Sequence, residues 1–229
     1  MFKRLQAVLL VLLVVGGCVG YQTRNGAPVY KTWDEGFGGR EWAIPGVDSG
    51  TFVALNKHYS KDRNQAYFHA KIIQGADSST FVALSDQYAK DSRHAFFEDR
   101  IVAGATPSSF RTAKYDFAQD ATDIFLQTSP LKVCDINTFR WLSDKWEMDS
   151  KCAYTRGRKL ENADPGTFKV INYWYAKDGN RVFESIFAKS IDGADSESFE
   201  LDKGICEVCA HDKNRCYRYE KFVPCGDTK

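Results

Sequence analysis

The sequence predicts a mainly β protein: a solenoid-like tandem array of six repeats of about 29 residues, each with short strands, a hairpin and one capped helical turn. Three periodic observations lead there. The segments "GVDSGTF", "GADSSTF", "GATPSSF", "VCDINTF", "NADPGTF" and "GADSESF" end on Phe52, Phe81, Phe110, Phe139, Phe168 and Phe199, spaced by 29, 29, 29, 29 and 31 residues. Eight residues before each Phe stands an aliphatic side chain: Ile44, Ile73, Val102, Leu131, Leu160 and Ile191. Beyond each Phe comes an Asp (Asp62, Asp91, Asp120, Asp149, Asp178 and, three residues late, Asp212). Five residues after that Asp lies an aromatic ring: Tyr67, Phe96, Phe125, Tyr154, Phe183 or Tyr217.

Each repeat opens on a cap. Asp48, Asp77, Asp135, Asp164 and Asp195 sit where a short helical turn takes its N-cap, and Thr106 fills the same slot. Pro107 and Pro165 follow directly, at the favoured first helical position. The turn throws its Phe inward, preceded each time by a hydroxyl: Thr51, Thr80, Ser109, Thr138, Thr167 or Ser198. "FVAL" and "FKVI" then read as short strands. "YSKDRNQAYF", "YAKDSRHAFF" and "YAKDGNRVFE" read as hairpins turning at the Asp, whose carboxylate can bond the backbone two residues on. Tyr59, Tyr88, Phe117, Trp146 and Tyr175 form a further aromatic column, which Cys209 breaks in the last repeat. Each unit should therefore hold two or three short strands and one helical turn. So small a unit cannot bury its aromatics alone and must stack on its neighbours. The repeats run over 44–72, 73–101, 102–130, 131–159, 160–190 and 191–223.

The flanks differ in kind. "MFKRLQAVLLVLLVVGGC" carries Lys3 and Arg4, an apolar run from Ala7 to Val15, then small residues, which is the pattern of a secretory signal. The run is too short for a permanent membrane span, which takes about 20 residues. "VGGC" resembles a bacterial lipobox, which implies removal of residues 1–17 and lipidation of Cys18 as the new N-terminus. Lipid chains anchor firmly, at about 0.8 kcal/mol per buried CH₂. Val19, rather than Asp, follows the cysteine, which resembles outer-membrane sorting in Gram-negative bacteria. Loss of Lys3 and Arg4 takes the formal charge from +1 to −1. Residues 18–43 form an anchored segment that caps the first repeat, and 224–229 form a tail.

"YAKDGNRVF", "YAKDSRHAFF" and the "GAD…TF" segments resemble the DKNYY repeat family of bacterial envelope proteins. The resemblance covers about residues 44–223. Its strongest units are the second, fifth and sixth; the fourth, with "KWEMDSKCAYTR", departs most. It implies a secreted or lipid-anchored protein and carries over no catalytic residue.

Candidate chemistry concentrates in the cysteines. Cys134, Cys152, Cys206, Cys209, Cys216 and Cys225 are even in number, as disulfides in an oxidising compartment require. Cys134 with Cys152, Cys209 with Cys216, and Cys206 with Cys225 is one pairing among the 15 that six cysteines allow. Cys206, Cys209, His211 and Cys216 are also four zinc-type ligands, but their spacing fits no standard finger. "CEVCAH" places its histidine one residue too far for haem attachment. A C-x-x-C redox pair lacks a thioredoxin-like βαβ setting. The repeated Asp residues stand singly, without the six to eight oxygens that calcium takes. His58, His69, His94 and His211 are scattered and read as surface. Trp141 and Trp174 fall outside the core columns; packing between units is the plainer reading, a binding face the other. Trp33, Trp42 and Trp146 complete the set.

Composition excludes little else. Charge is balanced and the hydrophobic fraction is 43%, as in folded proteins, with no basic tract for nucleic acid. The expectation is a lipid-anchored envelope protein, bound to the membrane through its lipid, that acts without catalysis or cofactor. It would be a binding or scaffold module for an envelope protein or glycan. The alternatives are an envelope hydrolase, for which no nucleophile motif stands out, and a metal- or redox-handling protein using the C-terminal cysteines.

Overall fold

A computed structural model describes residues 19–36, 38–202, 206 and 208–225. Cys18 lies outside them. The described chain is nearly all β, in seven small antiparallel sheets arranged in tandem. Among the described residues no helix is long and apolar enough to cross a membrane.

The first sheet joins β1 (Gly20–Arg24), β2 (Ala27–Asp34) and β3 (Gly38–Ala43). The next is a four-stranded meander of β4 (Val53–Ala54), β5 (Tyr59–Lys61), β6 (Ala66–Phe68) and β7 (Lys71–Ile72). This meander, the first unit, recurs five times, over 82–101, 111–130, 140–159, 169–190 and 200–223.

The fourth strand of each unit and the form of the capped turn differ from the sequence expectation. The last strand has two residues in the first five units and three in the sixth, too few to show an alternation. The capped turn is a 3₁₀ helix only at Ile136–Thr138. Elsewhere the segment closes with one or two bonds, such as Thr51 N to the Asp48 carbonyl at 3.1 Å, and is too short to propagate a helix. The Asp caps hold: Asp48 accepts from Gly50 N at 3.0 Å and Asp164 from Gly166 N at 2.9 Å.

The repeated Asp organises each hairpin. Asp62 Oδ1 accepts from Asn64 N and Gln65 N, while Oδ2 accepts from Asp48 N and the Tyr67 hydroxyl at 2.8 and 2.7 Å. Asp91, Asp120, Asp149, Asp178 and Asp212 repeat the arrangement toward Asp77, Thr106, Asp135, Asp164 and Asp195. The hydroxyl column accepts the next amide of the hairpin, as Thr51 Oγ1 does from Arg63 N at 3.0 Å. Burial pushes the Asp62 carboxyl up, but the four donors outweigh it and hold it below its usual range.

Alternation gives every sheet two faces, and the units stack face to face. Tyr59, Ala66 and Phe68 of the first unit pack against Phe81, Ala89 and Phe96 of the second, with Ile73 between. Tyr88, Ala95 and Phe97 meet Phe110, Ala118 and Phe125 in the same way. Trp146 and Met148 meet Phe168, Ala176 and Phe183; Tyr175 and Val182 meet Phe199, Ala210 and Tyr217. Polar straps cross these joints. The Tyr59 hydroxyl donates to the Gln87 carbonyl at 2.6 Å, Tyr88 to Asp116 at 3.0 Å, and Tyr175 to Val208 at 2.7 Å. Lys61 Nζ reaches the Phe81 carbonyl, Lys90 that of Phe110, and Lys177 that of Phe199.

The ends are covered differently. At the N-terminal end, Tyr21 meets Phe52 edge-on and its hydroxyl donates to the His58 carbonyl at 2.6 Å, while buried Tyr30 stacks on His69. In the sixth unit, Cys209 and Cys216 lie on the sheet face turned away from the fifth unit. Disulfides join Cys134–Cys152, Cys206–Cys209 and Cys216–Cys225. The first matches the expected pairing; the other two correct it. Cys216 stands opposite His211 and Cys209 opposite Arg218, so the two are diagonal neighbours. Such Cα atoms lie about 7–8 Å apart, beyond the usual disulfide span. Each instead bonds a cysteine of the segment beside it.

Candidate functional site: one edge of the array

Two loops per unit line one long edge: the loop before the second strand and the turn after the third. In the first unit these are Asn56–His58 and His69–Ala70. The first loop is built by a short polar side chain. Asn56 Oδ1 accepts from His58 N and Tyr59 N at 2.9 and 2.7 Å. Ser85, Ser143 and Asn172 do the same in the second, fourth and fifth units. Lys114 takes that place in the third, where Tyr115 and Asp116 adopt φ of +55° and +66°. The second loop demands a left-handed residue, supplied by His69, Glu98, Gln127, Arg156 and Tyr219 at φ between 49° and 57°.

Two grooves open on this edge. One, of about 660 Å³, spans the first three units and is lined by His58, His69, Asp86, Gln87, Glu98 and Asp116, with Phe68 at its floor. The other, of about 340 Å³, lies across the fifth and sixth units and is lined by Ile186, Phe187, Tyr219 and Val223 with Arg218 and Lys221. Between them the edge carries Lys145, its ammonium 4.3 Å from the centre of the exposed Tyr173 ring. The first groove is polar and the second apolar, so a ligand lying along the edge meets two chemistries.

Two of the four histidines come together here. His58 Nδ1 and His69 Nε2 are 2.7 Å apart, so one ring donates to the other. The Tyr30 hydroxyl is 3.4 Å from His58 Nδ1, and Asp86 lies 3.8 Å from its Nε2. Burial, then the neighbouring His58 and Lys71, push His69 down to about 4. Burial also lowers His58, against the pull of Asp86. Both rings are therefore neutral near pH 7 and offer hydrogen bonds rather than charge. The expectation that the histidines are scattered is corrected for this pair. His58 and His69 are eleven residues apart and meet only because the two loops share an edge.

The other sequence candidates go elsewhere. His94 lies beside Asp91, and His211 Nδ1 is 2.6 Å from Asp202 Oδ1. The zinc-type set is not assembled: Cys206, Cys209 and Cys216 are consumed in two disulfides. Among the described residues no group of three or more His, Cys, Asp or Glu side chains is placed to hold a metal. Trp141 packs on Phe139 and Phe117, and Trp174 on Tyr173 and Tyr219, so both serve packing. Trp33 and Trp42 are half-exposed on the N-terminal sheet.

A family model described as "DKNYY family" matches residues 28–186, more than half of the chain. No curated protein and no solved structure matches it.

Proposed function

We propose that this protein, which belongs to the DKNYY family, is a lipid-anchored bacterial envelope protein and a non-catalytic binding or scaffold module. One observation carries the binding reading: the same two loop columns, repeated unit after unit, line a single edge that holds both grooves. A stacked array offers a long surface rather than a deep cleft. The alternation of a polar and an apolar groove fits an extended partner, an envelope protein or a glycan strand, better than a compact substrate.

The anchor reading rests on "VGGC" and Cys18. β1 begins at Gly20, so the first sheet would stand directly at the membrane surface. An outer-membrane location follows from Val19 if the cell is Gram-negative. Crosslinking of the tagged protein in cells, followed by mass spectrometry, tests the scaffold reading. One dominant protein partner supports it; recovery of none contradicts it and favours glycan binding. Cys18→Ser should release the protein from the membrane fraction, and a variant that still pellets contradicts the anchor.

One observation favours a second reading, redox handling: Cys206 and Cys209 form a C-x-x-C disulfide. Titration with a thiol reagent after mild reduction separates the two readings. Selective opening of this bond, with the array still folded, supports a redox role.

A further inference from the structure

The stacking pattern changes most at one place, although Met148 also replaces the strap lysine in the fourth unit and Phe52 is also half-buried. At the joint between the third and fourth units, four repeated features change together. Leu131 is half-buried, whereas its equivalents Ile44, Ile73, Val102, Leu160 and Ile191 are buried. Phe139 is half-buried, whereas Phe81, Phe110, Phe168 and Phe199 are buried. Phe117 stands where Tyr59, Tyr88 and Tyr175 donate their hydroxyl straps, and it has no hydroxyl to donate. Gln119 stands where Lys61, Lys90 and Lys177 reach into the next unit. The turn leading into the fourth unit is irregular too: Lys132 takes φ +56°, where Gly46, Gly75, Gly104, Asn162 and Gly193 take the left-handed position one residue later in their units.

The centre of this joint holds a carboxyl. Glu147 occupies the column of Ala89, Ala118, Ala176 and Ala210 and is 0% exposed. Its Oε2 accepts from Gly157 N at 3.3 Å, while Oε1 is buried without a hydrogen-bond partner, as is the indole nitrogen of its cross-strand neighbour Trp141. Glu147 shares its sheet face with Tyr154, whose hydroxyl is taken by Asp149. The opposing face of the third unit presents Phe117, Gln119, Ile124 and Leu126, all uncharged. Of the charges in the flanking loops of its own unit, Arg156 lowers its carboxyl and Asp144 raises it.

We propose that this joint is a hinge dividing the array into two three-unit blocks, and that ionisation of Glu147 opens it. The three disulfides all lie on one side, within the fourth and sixth units, and none bridges the joint. Burial raises the Glu147 carboxyl to about 8. Opened to water, the same group returns toward about 4.3. The closed joint therefore holds the proton, and the open form gains as pH rises between those two values and levels off above the higher one. The two grooves lie on opposite sides of this joint, so opening it reorients them, whatever ligand they take.

Hydroxyl-radical footprinting of the whole purified protein tests the hinge, because it reads side-chain access to solvent. Phe117 is the reporter and Phe81, in an intact joint, the reference. The expected result is that Phe117 labelling rises relative to Phe81 by up to about tenfold per pH unit between about pH 5 and about pH 8. Glu147→Gln, which cannot ionise, should flatten that rise. Glu147→Ala, which restores the alanine column, should flatten it and lower the labelling at every pH. Phe117 as protected as Phe81 across the range overturns the hinge. A rise that survives in Glu147→Gln overturns the role of Glu147.

Discussion

The Tyr59 hydroxyl donates to the Gln87 carbonyl oxygen at 2.6 Å, across a joint between two units. Tyr59 is fully buried, so the strap is a shielded bond, and burial raises its hydroxyl pKa well above the usual tyrosine range. The same hydroxyl also lies 3.2 Å from the Glu98 carbonyl, so Tyr59→Phe keeps the ring and removes these bonds to the second unit. It should cost about 1–2 kcal/mol in denaturant unfolding, because the Gln87 carbonyl loses a buried donor. No change would mean that apolar contact alone holds the units together.

Phe81 and Phe139 occupy the same column in different joints. Phe81 is fully buried between Tyr59 and Phe96, whereas Phe139 is half-buried. Phe81→Ala should cost about 3–5 kcal/mol, as a truncated core aromatic does. Phe139→Ala should cost less, about 1–2 kcal/mol, since less apolar surface is withdrawn from water there. Equal losses would refute the weak joint.

Acid should loosen the hairpins. Asp62, Asp120 and Asp212 are held below the ordinary carboxylate value: burial raises each, but the hydrogen bonds it accepts outweigh this. A depressed carboxyl stabilises the fold above its unfolded value of about 3.9, and that stability is lost as pH falls through the folded value. Stability should therefore be flat above about pH 5 with respect to these groups and fall below about pH 4. Asp62→Asn cannot accept at both terminal atoms. It should lower stability by about 2–3 kcal/mol near pH 7 and flatten the acid limb.

The Cys134–Cys152 bond closes a separation of 18 residues within the fourth unit, which carries the half-buried Leu131 and Phe139. Replacing both cysteines by serine should cost roughly 3 kcal/mol, from the loop entropy the bond removes from the unfolded chain. Titration of the oxidised protein under denaturing conditions should find no free thiol among these six cysteines.

The columns of Phe and Asp were legible because each recurs at fixed spacing and each residue type has one evident job: a ring to bury, a carboxylate to cap a turn. The mainly β array followed from them. The straps were not legible. Lys61 sits just before a turn Asp and reads as solvated, and its partners are backbone carbonyls of another unit, which no side-chain pattern marks. The last strand of each unit is too short to alternate. The His58–His69 contact depends on two loops meeting at one edge, which becomes visible only once the four-strand meander is known. The C-terminal disulfides were misread because the hairpin register sets Cys209 and Cys216 diagonally, so each bonds a cysteine of the adjoining segment instead. Glu147 could have been noticed as the one carboxylate in a column of Ser60 and alanines.

The central claim is that one edge of the array binds a partner. A photo-crosslinking residue placed at Asp86 or at Phe187, each on that edge, should capture the same partner in cells. The same probe at Arg93 or Ser79, on the opposite hairpin edge, should capture none. Equal capture from both edges, or capture from the hairpin edge alone, would contradict the claim.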